Sequence, residues 1–230
     1  MTSRPRPLAV LFDLDGTLVD NMPFHVQAWL SMARSLGIAL TEERFEREFS
    51  GRRNEEILPA LLGRPVPPEE LTRLADEKEA HYRALYAPHL APVRGTRALL
   101  ERLRGAGLGL AVASSAPRVN RAFVLDGLGL RPFFAHEVGA EHVTRGKPAP
   151  DLFLAAARAL GVEPAACVVV EDAINGILAA RAAGMSAVGI TTLTPAAALR
   201  EAGAHWLVPH FEALPEELEH WLLPPSGRAV

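Results

Sequence analysis

The hydrophobic positions follow two different spacings along the chain. Short, unbroken apolar runs, such as residues 8–12 and 168–170, are typical of strands buried in a parallel sheet. Longer segments repeat apolar residues every three or four positions, which is typical of helices. Because the strands and helices alternate, the order predicts an α/β fold with a Rossmann-like parallel sheet and right-handed crossovers. The predicted strands are residues 8–12, 108–113, 133–138, 168–170, 186–190 and 205–208, and the predicted helices are residues 96–104, 118–128, 150–160 and 174–183.

Residues 21–91 interrupt that alternation with helical spacing alone. Four consecutive helices are predicted there, and helices in such succession indicate a small bundle. Their predicted starts lie near Pro23, Thr41, Ile57 and the pair Pro67-Pro68. Since the block directly follows the first strand, the sequence predicts an inserted helical-bundle cap domain at 21–91 and an α/β core domain at 1–20 and 92–230.

The first predicted strand ends in the segment Asp13-Leu14-Asp15-Gly16-Thr17. Ligands of open α/β sheets bind outside the carboxyl ends of the strands, so two carboxylates and a hydroxyl are delivered to such a place. This set suits metal-assisted phosphoryl transfer, with one acid as nucleophile and the other as proton shuttle. The alternative is an ordinary Asx turn, in which an aspartate beside a glycine stabilises a bend.

Polar residues also follow three other predicted strands. They are Ser114, Lys147 and the pair Glu171-Asp172. Taken singly, each has a simpler explanation, such as a turn residue, a solvated charge or an acidic helix start. Together they indicate one site at the carboxyl edge of the sheet. A cation such as Lys147 is also needed there, because several carboxylates repel an anionic phosphoryl group unless positive charge offsets them.

The composition argues against several classes of partner and of structural site. The chain has 230 residues, a net charge of -3 and a hydrophobic content of 49%. The net negative charge argues against a nucleic-acid partner, which usually requires a basic stripe. With one cysteine, Cys167, neither a disulfide framework nor a cysteine-based zinc site can form, and this residue is predicted to lie in the core. The first seven residues contain no signal-like apolar region and no stretch is long enough to span a bilayer, so we expect no membrane association and a cytoplasmic location. We also expect a monomer or weak homodimer.

The four strand-end motifs, in this order, resemble those of the haloacid dehalogenase (HAD) superfamily. The resemblance covers residues 8 to about 192, and the helical insert is similar to the four-helix cap of that superfamily. The segments 146–151 and 171–177, together with His25 and Trp29, resemble the β-phosphoglucomutase-like branch in particular. A small phosphorylated metabolite is then the implied substrate.

The resemblance also implies a role for each motif residue. Asp13 is implied as the nucleophile that becomes an aspartyl-phosphate, and Asp15 as the acid and base. Mg²⁺ is implied as the cofactor, held by Asp13, the backbone carbonyl of Asp15 and Asp172, with Glu171 nearby. Oxygen ligands of this kind are those that Mg²⁺ prefers. The residues implied to hold the phosphoryl oxygens are Thr17, Ser114 and Lys147.

Four alternatives within that superfamily need to be compared: a dehalogenase, a phosphatase, a mutase and a non-catalytic protein. Asp15 argues against a dehalogenase, because a halide leaving group needs no proton. A mutase of this type carries an arginine three residues after a cap-loop glycine, but counting from Gly51 places Asn54 there. The sequence therefore favours a magnesium-dependent phosphatase for a sugar or polyol phosphate over a β-phosphoglucomutase-type mutase. A non-catalytic regulatory protein of the same fold would be expected to lack a motif residue, and none is lost here.

Substrate selection is expected from the cap. The loop from Gly51 to Asn54 joins two predicted helices and should project onto the site when the cap closes. Arg52 and Arg53 either reach the substrate or remain solvated charges. His25 and Lys78 match cap positions of the related branch, whereas Glu79 stands where the mutase pattern has an amide.

Overall fold

The computed structural model describes residues 6–49 and 52–223. The chain divides after Asp20 and after Leu90 into two compact units, one α/β and one helical. Each unit has a buried hydrophobic cluster of its own. No helix among the described residues is both long enough and apolar enough to cross a membrane.

Six parallel strands form the sheet of the α/β unit, in the order β3-β2-β1-β4-β5-β6. The prediction of a Rossmann-like parallel α/β fold is confirmed. The first strand is central, with Ala9 opposite both Gly109 and Cys167, and it is buried along its whole length. The strands are β1 Ala9–Phe12, β2 Gly109–Ser114, β3 His136–Gly139, β4 Cys167–Glu171, β5 Ser186–Ile190 and β6 Trp206–Val208.

Four helices make up the described part of the helical unit: α1 Met22–Ser35, α2 Glu42–Glu48, α3 Asn54–Leu62 and α4 Pro68–Tyr86. Thr41 begins α2, because its hydroxyl accepts a hydrogen bond from the backbone N–H of Arg44 at 3.2 Å. Gly63 ends α3 in the left-handed conformation, with a φ of 64°. The apolar faces pack around Trp29 and Leu58.

Helices of the α/β unit cover the sheet with small and aliphatic side chains. Phe153 and Ile177 are fully buried against Leu11 and Val169. Cys167 belongs to the same core, as predicted, and burial raises the pKa of its thiol to about 11. These helices are α5 Thr96–Gly105, α6 Arg118–Gly127, α7 Asp151–Leu160, α8 Ile174–Ala182, α9 Ala196–Glu201 and α10 Glu216–Leu222.

Two local expectations differ from the structure. The third strand begins at His136, not at residue 133, because Arg131–Phe133 forms one turn of 3₁₀ helix. Pro132 lies in that turn and lacks the N–H that a strand ladder needs. The sequence pattern also did not predict the two short helices α9 and α10, and the exposed face of α10 is acidic.

Candidate functional site

Lys147 joins the two central strands of the sheet at their carboxyl ends. Its Nζ donates to Oδ1 of Asp13 at 2.6 Å and to Oε1 of Glu171 at 2.8 Å. Asp13 continues β1 by one residue, since its N–H donates to the carbonyl of Val170 at 3.0 Å. Glu171 is the last residue of β4, the neighbouring strand. The parallel register therefore places two carboxylates from different strands around one ammonium group.

Asp172 completes the acidic group beside the turn that follows β1. Its Oδ1 accepts a hydrogen bond from the hydroxyl of Thr17 at 3.0 Å, and both side chains are buried. Gly16 has a φ of 78°, and a Cβ atom there would lie 2.1 Å from Oδ2 of Asp172. A glycine is therefore needed for both reasons: the backbone conformation and the close approach of the carboxylate. The Thr17 hydroxyl is bonded to Asp172, and its predicted phosphoryl contact stays a prediction.

The acidic group carries more negative charge than its lysine can balance. Burial raises the pKa of Asp13 to about 7, against the opposing attraction of Lys147. Burial, followed by repulsion from Glu171 and Asp13, raises the pKa of Asp172 well above its usual range. The two carboxylates raise the pKa of Lys147 in spite of its burial, so this side chain remains charged. A further cation at this place would relieve the repulsion among the acids.

The donor set fits a hard divalent cation. Carboxylate oxygens of Asp13, Glu171 and Asp172 lie within 4.8 Å of one another. Oxygen donors at such separations suit Mg²⁺, which takes one or two carboxylates and otherwise keeps water or substrate oxygens. Both carboxylate oxygens of Glu171 already accept hydrogen bonds, Oε1 from Lys147 and Oε2 from the N–H of Asp172 at 2.9 Å, so this residue is less available to a metal than the other two acids. The close packing of Gly176 against Glu171 holds this carboxylate in place.

The remaining motif residues of the α/β unit lie on adjoining elements. Ser114 ends β2, which pairs with β1, and it is buried. Its Oγ accepts a hydrogen bond from the N–H of Ala116 at 3.2 Å. Asp15 is half-buried in the turn after β1, and its charge contributes to the raised pKa of Asp13. The polar residues of all four motifs thus follow strands at the same edge of the sheet.

Three of the five predicted residues of the helical unit, His25, Asn54 and Lys78, belong to one polar cluster within that unit. Lys78 donates to Nδ1 of His25 and to Oε1 of Glu79, both at 2.9 Å, and Asn54 donates to the same Oε1 at 2.8 Å. The His25 ring stacks on Tyr82 with centroids 3.7 Å apart. Burial, together with the Lys78 charge, lowers the pKa of His25 well below its usual value. We call these five residues the helical cluster; its histidine is neutral.

Arg52 and Arg53 are exposed, and Gly51 lies outside the described residues. The Arg53 Nε atom lies 4.0 Å from a carboxylate oxygen of Glu56. Their predicted contact with substrate stays a prediction.

Sequence reasoning missed two participants in these clusters. Tyr82 follows Lys78 by one helical turn, and this spacing could have predicted their proximity on α4. Thr192 lies in the turn after β5, and its hydroxyl donates to the carbonyl of Gly16. No local pattern links residues so far apart in the chain, so only the fold brings Thr192 to the motif.

Known proteins match this chain over most of its length. The family model for haloacid dehalogenase-like hydrolases matches residues 7–184. Fructose-1-phosphate phosphatase YqaB of Escherichia coli is 34% identical over 82% of this chain and 98% of its own. The β-phosphoglucomutase of Bacillus subtilis is 34% identical over 79% of this chain and 82% of its own. A crystal structure of a HAD hydrolase of family IA, variant 3, from Entamoeba histolytica has a TM-score of 0.85 and 30% identity, covering 94% of this chain and 98% of that one. The chain therefore belongs to the haloacid dehalogenase-like hydrolases.

Proposed function

We propose that the protein is a magnesium-dependent phosphatase that hydrolyses a small sugar or polyol phosphate through an aspartyl-phosphate. The observation that carries the proposal is the buried group of Asp13, Glu171 and Asp172 around Lys147. Lys147 donates to Asp13 and Glu171, and carboxylate oxygens of Asp13, Glu171 and Asp172 lie within 4.8 Å of one another. In the proposal Asp13 serves as nucleophile, Lys147 as the cation for phosphoryl oxygens, and the three acids as the metal site. Phosphate-ester hydrolysis is very slow without catalysis, and such charge complementarity addresses its barrier.

In the proposed reaction, a carboxylate oxygen of Asp13 attacks phosphorus and the bond from phosphorus to the ester oxygen breaks. Asp15 gives its proton to the leaving alkoxide. In the second half, the Asp15 carboxylate takes a proton from water as this water attacks the phosphoryl group. The bond between Asp13 and phosphorus then breaks, which releases inorganic phosphate and restores both acids.

Lys147 and Ser114 are proposed to bind the phosphoryl oxygens throughout. Asp13, the backbone carbonyl of Asp15 and Asp172 would hold Mg²⁺, with Glu171 beside them. When bound, the metal supplies positive charge that offsets the charges of the nucleophile and the phosphoryl group. Thr17 is proposed to bind a phosphoryl oxygen as well, through the same hydroxyl that donates to Oδ1 of Asp172 at 3.0 Å.

The substrate class is supported by the relatives. One relative at 34% identity carries the name of a fructose-1-phosphate phosphatase, and another at the same identity that of a β-phosphoglucomutase. Overall similarity does not separate the two activities. Asn54 favours hydrolysis, because this neutral side chain stands where a mutase would have an arginine for the second phosphate. Its amide is also bonded to Glu79.

Phosphate release tests the proposal directly. A panel of sugar, polyol, nucleotide and short-chain phosphates should be assayed with Mg²⁺ and after chelation, beside the interconversion of β-glucose 1-phosphate and glucose 6-phosphate. We expect metal-dependent phosphate release from sugar or polyol phosphates that exceeds interconversion. Efficient interconversion with little free phosphate would instead establish a mutase, and equal hydrolysis after complete metal removal would exclude the magnesium proposal.

We also propose that residues of the helical unit select among these substrates. The variants Arg52→Ala, Arg53→Ala and Asn54→Arg test this against wild type on the same panel. Loss of one charged hydrogen bond to substrate should lower kcat/KM by roughly ten- to 150-fold. Unchanged kinetics in both arginine variants would mean that these side chains are solvated surface charges.

A further inference from the structure

A buried arginine of the α/β unit lies outside the four motifs. Arg121 on α6 is 1% exposed, and it is among the largest fully buried side chains in the described part of the chain. Its Nη1 donates to the carbonyl of Ala116 at 2.5 Å and its Nε to Oε1 of Glu137 at 2.7 Å. The guanidinium also donates to both carboxylate oxygens of Glu141. One fixed cation thus bonds to three separate segments of the chain.

Two hydrogen bonds connect this arginine to Ser114. The Arg121 guanidinium donates to the carbonyl oxygen of Ala116, and the N–H of Ala116 donates to the Ser114 hydroxyl oxygen at 3.2 Å. The side chain that sits at the end of β2 is therefore oriented by a turn whose position depends on a buried guanidinium. A shift of that turn would move the Ser114 oxygen away from its present direction.

The other bonds of Arg121 reach the segment that precedes Lys147. Glu137 lies in β3, and Glu141 in the 3₁₀ turn Ala140–His142 that directly follows this strand. The guanidinium also packs on the backbone between them, since a Cβ atom on Gly139 would lie 2.1 Å from its Nη1. Arg121 therefore fastens the turn after β2 to the turn after β3, from which the chain continues towards Lys147.

A core position does not need this cation for packing. Arg121 shares the inward face of α6 with Val124 and Leu125, where an aliphatic side chain would bury apolar area without any charge. Burying a charge costs free energy that ion pairs only partly return, so an ion-paired arginine adds little net stability. Its planar fork does fix the relative positions of several acceptors, which an aliphatic residue cannot do.

We propose that Arg121 is a positioning residue, which fixes the Ser114 hydroxyl for the phosphoryl group by holding the turn at Ala116. The proposal rests on the proposed phosphatase function. It predicts that the contribution of Arg121 to activity runs through Ser114.

A double-mutant cycle tests this route. Arg121→Met should lower kcat/KM at least about tenfold, which is the lower end of the loss found when a residue that orients a metal ligand is removed. It should weaken competitive inhibition by inorganic phosphate by a similar factor. In a Ser114→Ala background the same change should cost less than about twofold, because the side chain that Arg121 positions is already absent.

The matched control is Arg131→Met. Arg131 pairs with the other oxygen of Glu137 at 2.5 Å and with Asp126, so it belongs to the same ion-pair chain, but it is 43% exposed. We expect its kcat/KM to stay within about twofold of wild type. Equal losses for Arg121→Met in both Ser114 backgrounds, or an equal loss in Arg131→Met, would overturn the proposal and mean that the ion pairs are merely structural.

A second readout does not depend on turnover. Hydrogen exchange of the Ala116 amide, followed by NMR, should be at least about tenfold faster in Arg121→Met than in wild type and unchanged in Arg131→Met. If wild type hydrolysed no phosphate ester, the proposed function would fail, while the exchange rate and the binding of inorganic phosphate would still decide this inference. If Arg121→Met did not fold, Arg121→Lys would keep the charge without the fork. An Ala116 amide as protected in Arg121→Lys as in wild type would then overturn the proposal.

Discussion

Each of the two units holds a lysine among polar groups, Lys78 buried and Lys147 partly buried, but the two clusters differ in their charge balance. In the α/β unit, Asp13, Glu171 and Asp172 surround Lys147, so three acids lie near one ammonium group. In the helical cluster, Lys78 is paired with Glu79, while His25 and Asn54 are neutral partners. The first cluster is short of positive charge, and the second is balanced.

This difference in charge balance distinguishes the cluster where we expect catalysis from the cluster whose charges are already paired. Burial, and then repulsion among the acids, raises the pKa of Asp13 and of Asp172, and a metal ion would relieve that repulsion. In the helical cluster, no comparable excess remains, and each charge has an opposite charge beside it. We therefore expect chemistry and metal dependence to reside in the first cluster, and stability and substrate preference in the second.

The largest expected effect is that of Asp13→Asn. An amide cannot form the proposed aspartyl-phosphate, so phosphate release should fall at least about 10³-fold while substrate still binds. The corresponding change in the helical cluster, Glu79→Gln, should alter kcat/KM by less than about tenfold. Steady-state phosphate release measures both, and the exposed Asp76→Asn serves as a control for loss of one carboxylate. Near-wild-type turnover by Asp13→Asn would remove the proposed distinction between the clusters.

Magnesium binding gives the next largest effect. Mg²⁺ at about 100 times its dissociation constant should raise the free energy of unfolding of the wild type by about 2.7 kcal/mol, because it binds only the folded acids. Asp172→Asn should lose most of this increment, whereas Glu79→Gln should keep it. Urea unfolding with and without Mg²⁺ gives the increments. An undiminished increment in Asp172→Asn would place the metal elsewhere.

Acid should weaken the helical cluster through His25. The pKa of this histidine is lowered in the folded state, so below about pH 6.5 the unfolded chain takes up a proton that the folded one excludes. Stability should therefore fall with decreasing pH, by up to about 1.4 kcal/mol per pH unit below 6.5, until the lowered pKa is reached. Urea unfolding between pH 7 and pH 5 measures this, followed by the fluorescence of Trp29 in a variant with Trp206 and Trp221 replaced by phenylalanine.

The matched variants for that titration are His25→Gln and the exposed His81→Gln. The first should flatten the dependence on pH, because the excluded proton is gone, and the second should keep the wild-type slope. A slope that persists in His25→Gln would assign the acid sensitivity to another group.

The smallest effect is expected at the surface of the helical unit. The Arg53–Glu56 pair is about half-exposed on both sides, with a separation of 4.0 Å between its charged atoms. Exposed pairs of this kind are screened by water, so Arg53→Ala should change the free energy of unfolding by less than about 0.5 kcal/mol. Thermal denaturation is a sufficient check. A loss above 1.5 kcal/mol would show that this pair, and not only the buried cluster, stabilises the unit.

Most of the fold could be predicted because its signals are local. The apolar run before Asp13 and the one before Glu171 each formed a buried strand, and Gly63 ended a helix as a left-handed glycine does. The predicted start of β3 was wrong because Phe133, the first residue of the apolar run, belongs to the 3₁₀ turn that contains Pro132. The short helix α10 was missed because its sequence offers only one turn of apolar spacing.

Only part of the candidate site could be predicted from the sequence, and the reason is different. The strand-end positions of Asp13, Ser114 and Glu171 follow from local patterns, but their partners do not. The bond from Thr17 to Asp172, and that from Arg121 to Ala116, depend on side-chain directions that the fold sets. An arginine on the inward face of α6 was the available signal for Arg121, since charged residues seldom occupy such faces without a partner.

The position of β1 at the centre of the sheet also affects the order in which the chain can fold during its synthesis. The ribosome synthesises this strand first, yet its two partners, Gly109–Val112 and Cys167–Val170, emerge only after the whole helical unit. Residues 21–90 form a contiguous unit, so they can fold before the two strands that pair with β1 have been synthesised. During that interval β1 lacks both of its partner strands, so we expect chaperone binding to its apolar residues to be strongest before residue 170 has emerged.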